Sequence, residues 1–153
     1  MPTSRAVALQ MVAGLLLFPL LSAVQGMPAF EVLQKLGAAR RFTCAFPWSV
    51  AVEWERQDPQ VQHARRGLVF QIDGIDYEQH RARFIGSAGT ADLTALRGVD
   101  SVSFLDPVAV GRVMVTTVYA YCDAEGRFKA VHSSHAAFGD PAPSQHYGYC
   151  QAW

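Results

Sequence analysis

Asparagine is absent from this 153-residue chain, and lysine nearly so, since eleven of its thirteen basic residues are arginine. Asparagine and lysine codons are AT-rich, so the shortage marks a GC-rich, bacterial genome and not a chemistry. Charge is scarce as well: 17% of residues are charged, and thirteen acids balance thirteen bases. Without a net field, nucleic acid and anionic membrane surfaces are not expected as partners. No glycine loop that would cradle a phosphate is present, and no cofactor is expected. Gly86-Ser87-Ala88-Gly89 lacks the spacing of a serine nucleophile elbow. Asp73, Asp76 and Glu78 crowd one turn but lack the EF-hand spacing, so they read as a solvated turn and not as a calcium site.

The five histidines offer little more: His63, His80, His132, His135 and His146. His132-Ser133-Ser134-His135 has the look of a metal pair, but on a strand residues i and i+3 point to opposite faces. No metal site is therefore expected.

What the chain does contain is β-structure. Half of its residues are apolar, enough for one domain with a real core. The strongest signal runs from Arg112 to His135, two β-rich runs around the loop Asp123-Ala124-Glu125-Gly126. In the first run Val113, Val115, Thr117, Tyr119 and Tyr121 alternate with Met114, Thr116, Val118, Ala120 and Cys122. Both sets are β-branched, aromatic or small, which suits a strand with one face in the core and the other partly covered. Phe42, Cys44 and Phe46 share one face of an earlier strand, which Pro47 is expected to break. Trp48, Val50, Val52 and Trp54 alternate along the next, and polar residues 57–66 read as a loop. Further strands fall at 68–73, ended by Asp73-Gly74, and at 81–85, 91–96 and 102–105. Residues 138–144 read as a loop before a last aromatic strand, 146–153. Only residues 27–41 look helical, with Phe30, Leu33 and Leu36 as an apolar stripe and Gly37 as a stop. The expected fold is all-β: a small antiparallel β-barrel, or a sandwich, of about eight to nine strands with one short N-terminal helix.

Residues 1–26 are expected to be a secretory signal peptide: Arg5, an apolar run from Ala6 to Leu21, then Val24 and Gly26 before the cut. The run is shorter than the roughly 20 residues of a spanning helix. Residues 27–153 would then form one domain, periplasmic or secreted. Tyr147, Tyr149 and the terminal Trp153 resemble the C-terminal signature of outer-membrane barrels. Most of the predicted strands are too short to span a bilayer, so no stable membrane insertion is expected after signal cleavage.

Export would place Cys44, Cys122 and Cys150 in an oxidising space. Cys44 and Cys150 lie in the first and last strands, which adjoin if the sheet closes, whereas Cys122 lies at a hairpin tip. A Cys44–Cys150 disulfide is expected, at the ~5.5–6 Å Cα separation that disulfides prefer. Cys122 would be free.

Phe42-Thr43-Cys44 near the start and Cys150 near the end resemble the layout of periplasmic c-type lysozyme inhibitors. That resemblance implies an eight-stranded barrel with its first and last strands disulfide-linked. Ser87-Ala88-Gly89-Thr90 departs from that family's inhibitory loop, a Ser-Gly motif followed by Tyr. The segments 130–135 and 144–150 also resemble the tail of uncharacterised secreted bacterial proteins, which implies no activity.

The expected function is non-enzymatic binding of a protein or other ligand. The alternative is carriage of a small apolar molecule inside the barrel, lined by Phe42, Phe70, Tyr119, Tyr121 and Phe128. A hydrolase-type enzyme comes third, and no catalytic residue is assigned.

Overall fold

The computed structural model describes residues 29–56, 58–106 and 111–153. The expected signal peptide lies outside the described residues. Among the described residues, helix α1 (Phe30–Ala38) is followed by nine strands: β1 (Phe42–Glu55), β2 (Asp58–Ala64), β3 (Leu68–Asp76), β4 (Arg81–Gly86), β5 (Gly89–Arg97), β6 (Ser101–Asp106), β7 (Arg112–Cys122), β8 (Phe128–Phe138) and β9 (Asp140–Ala152).

Each strand from β3 to β9 pairs antiparallel with the next, and β1 pairs with both β3 and β9. Eight strands thus close into a barrel, and β2 is an extra strand outside the closed ring. Closure follows from β1 being long. Phe42 to Phe46 pair with β3, while Ser49 to Glu55 pair with β2 on the same edge. Pro47 does not break the strand. It lies in a bulge between Ala45 and Trp48, where a missing N–H is tolerated and a strand is redirected. On the other side, Gly148 of β9 meets this bulge. A Cβ there would collide with Ala45 O and come within 2.6 Å of Phe46 Cα.

Two segments that read as loops are strands. Asp58–Ala64 is ladder-paired to β1, with a polar inner face that shows no apolar period. Phe138–Asp140 is a tight turn with Gly139 at φ 100°, and β9 begins at Asp140. Pro141 and Pro143 are accommodated there because the last β1–β9 pair is Ala51–Ser144, so that side of β9 needs no donor. The Asp73-Gly74 dipeptide is a bulge and not the end of β3. Gly74 takes φ 60°, and Ile75 continues into the core at 2% exposure. The helix covers one end of the barrel with Leu36 buried and Val32 and Leu33 half-buried. Phe30 lies off this stripe at 72% exposure, and Gly37 is inside the helix and not its stop.

The disulfide joins Cys44 to Cys150, and Cys122 is free and half-buried. The two bonded residues are direct cross-strand partners, so their Cα atoms are 4.0 Å apart, closer than the usual disulfide spacing.

Candidate functional site: an aromatic cleft outside a filled barrel

Side-chain alternation decides what faces inward. On β1, β3 and β8 it buries Phe42, Cys44, Phe46, Phe70, Ile72 and Phe128. Phe42 meets Phe104 and Phe128 edge-on at 6.0 and 6.2 Å, and Phe46 stacks on Phe70 at 5.4 Å. Phe42, Phe46, Phe104 and Phe128 are all 1% exposed or less, so they fill the interior as a small barrel requires. Of the five residues expected to line the interior, Phe42, Phe70 and Phe128 are there. Tyr119 and Tyr121 are not. With those phenylalanines inside, β7 contributes its smaller set, Thr116, Val118 and Ala120, and turns both tyrosines out.

Of these two tyrosines, Tyr119 joins a cleft of about 370 Å³ over β1, β7, β8 and β9. Tyr119, Lys129, Val131, Tyr147 and Trp48 line it, and Tyr149 closes one side. Trp48 pairs with Tyr147 across the seam, and Val131 pairs with Tyr147 from the other strand. Trp48 is 50% exposed and Tyr147 41%. Cations flank the aromatics: the Arg65 guanidinium lies 4.0 Å over the Trp48 ring and that of Arg127 4.8 Å over Tyr149. Arg127 is also held by Asp123 and Glu125, so its position is set from the hairpin loop. Such a surface has flat apolar rings with polar edges, the composition that binding sites favour. Reading the sequence for this cleft would have required knowing which face of β7 turns outward.

Inside the barrel, at the end away from the helix, the same register builds a polar row. Thr116, His132, His146 and Ser49 are direct partners across β7, β8, β9 and β1. His132 is 5% exposed, with its Nδ1 2.9 Å from Thr116 Oγ1 and its ring packed on Phe46 and Phe70. Burial, and then the proximity of His146 and Arg112, pushes His132 down to about 4, so the imidazole is neutral at pH 7. Burial also lowers His146, whose Nδ1 has no hydrogen-bond partner among the described residues. His135 is exposed on the opposite face, as i, i+3 spacing on a strand requires. Among the described residues no three of His, Cys, Asp and Glu gather where they could hold a metal ion. At the crowded turn, Asp73 pairs with Arg41 at 3.0 Å, and Asp76 accepts from the N–H groups of Glu78 and Gln79.

No protein-family model and no curated protein matches this chain. Among the described residues no helix is long and apolar enough to cross a membrane. The cleft and the polar row therefore rest on their own geometry.

Proposed function

We propose that this chain is an exported, non-catalytic binding protein of the periplasm or exterior, engaging a protein through the aromatic cleft around Trp48 and Tyr147. The observation that carries this reading is the division of the aromatics. Phe42, Phe46, Phe104 and Phe128 fill the interior, and Trp48, Tyr119, Tyr147 and Tyr149 line an open cleft outside it. A carrier of small apolar molecules would need the space that Phe42, Phe46, Phe104 and Phe128 occupy. Export is supported by the Cys44–Cys150 bond, which persists in oxidising compartments. The eight-stranded ring and its first-to-last disulfide agree with what the resemblance to c-type lysozyme inhibitors implies, so a c-type lysozyme is the first partner to try. The β4–β5 turn at Ser87-Ala88 departs from that family's motif, so the contact is assigned to the cleft and not to that turn.

The test is a photo-crosslinking residue placed at Tyr119 or Tyr147 in the producing cell, with Arg83, exposed on β4 across the ring from the cleft, as control. The expected result is a discrete protein adduct from the cleft positions and none from Arg83. Equal or absent adducts from all three positions refute the assignment. Titration of purified protein with a c-type lysozyme, followed by tryptophan fluorescence, then decides whether that enzyme is the partner.

A further inference from the structure

The part of the molecule outside the closed ring is amphipathic the wrong way round for a barrel. Where β1 runs past β3 and pairs with β2, the face continuous with the barrel interior is polar. It consists of the pairs Ser49–Ala64, Ala51–Gln62, Glu53–Gln60 and Glu55–Asp58. The outward face carries Val50–His63, Val52–Val61 and Trp54–Pro59, continuous with Trp48. Val61 is 58% exposed and Trp54 39%. A two-stranded ribbon is marginal by itself, and among the described residues β2 pairs with β1 alone, which leaves its other edge open.

We infer that a second copy of this chain adds to that edge, β2 against β2, antiparallel and centred on Val61. The strand is self-complementary about this residue. Gln60-Val61-Gln62 reads the same in both directions, so a two-fold axis at Val61 sets valine against valine on the outer face. It sets Gln60 against Gln62 of the other copy on the inner face, where two amides can each donate and accept. Asp58 meets Ala64, so no like charges oppose one another along the pairing. A slip of one residue would put Val61 opposite a glutamine with every side chain on the wrong face, which holds the register. Pro59 has no N–H to give, which suits a residue whose amide faces the open edge. Alternation then aims the backbone groups of Val61 and His63 the same way. The result is a four-stranded sheet with no open edge at β2, and both Trp48 clefts lie on the same side of it. The pairing does not depend on the binding role proposed for the cleft.

Val61→Cys is the direct test. It places two thiols at the axis, where directly hydrogen-bonded partners have Cα atoms about 5.5 Å apart, within disulfide reach. Val69→Cys, at a valine 64% exposed on β3, is the control and carries the same free Cys122. The expected result is a covalent dimer of V61C, reversed by reductant, that V69C does not form. Sedimentation of the unaltered protein should give a mass rising towards two chains, and V61K, which opposes two ammonium groups at the axis, should return it to one. Cross-linking of V61C no greater than that of V69C overturns the inference. So does a V61C adduct with a different protein, which would make the edge a docking strand for another chain. A single-chain mass at about 1 mM also overturns it, because a pair with a Kd of 1 mM would then be half assembled.

Discussion

Acid should unfold this protein through His132, and the effect can be worked out in advance. The ring is 5% exposed and held against Phe46 and Phe70, with Thr116 and His146 as row neighbours and Arg112 acting on its charge. Its folded pKa is about 4, against 6.5 for a free histidine. A folded pKa below the unfolded one means that the unfolded chain takes up the proton first. The contribution is thus fully present above pH 6.5, declines as pH falls, and is lost by pH 4. At about 1.4 kcal/mol per pH unit this window is worth roughly 3 kcal/mol. That is a large share of the 5–15 kcal/mol typical of a domain. The experiment is urea unfolding, followed by circular dichroism, at pH 7.5, 6.5, 5.5 and 4.5. The His132→Gln variant keeps a side-chain acceptor for Thr116 but cannot titrate, so its stability should fall far less over the same range. The residue of slope left in it belongs mainly to His146, which is lowered in the same direction. A flat profile for the unaltered protein, or an equal slope in H132Q, would refute the reasoning.

Three further outcomes follow from packing. Replacing Cys44 and Cys150 by alanine opens a loop with a sequence separation of 106. Loop-closure entropy then predicts a loss of about 4–5 kcal/mol in urea melts, and non-reducing peptide mapping of the unaltered protein should recover the Cys44–Cys150 pair. Gly148→Ala drives a methyl into the β1 bulge at Ala45 and Phe46, a backbone contact that cannot swing aside. It should cost about 1–3 kcal/mol or more, seen as a lowered Tm. Phe128→Ala empties a core site that is 0% exposed and should cost about 3–5 kcal/mol, whereas Tyr121→Ala, at a residue 40% exposed, should fall within about 1 kcal/mol of the unaltered protein.

The sequence by itself determined the all-β class of this fold and left a closed barrel or a sandwich open. Alternation and turn residues are local signals, and they were sufficient to place most of the barrel strands, including Arg112–Cys122 and its hairpin with β8. Cysteines in the first and last strands pointed to one pair if the sheet closed, and the β1–β9 pairing places Cys44 opposite Cys150. Where the local signal weakened, tertiary structure decided. Residues 58–64 are polar on the face that continues the barrel interior, and only pairing with β1 makes them a strand. Pro47 resembles a terminator until β9 supplies Gly148 for the bulge to rest on. Val113 to Cys122 alternate two equally β-prone sets, and the choice of inner face depended on the volume already taken by phenylalanines from other strands. That choice moved Tyr119 and Tyr121 from the expected interior to the surface. The row Thr116–His132–His146–Ser49 joins residues from four strands, and their meeting depends on register. Register is a property of paired strands, and a single strand's periodicity does not contain it.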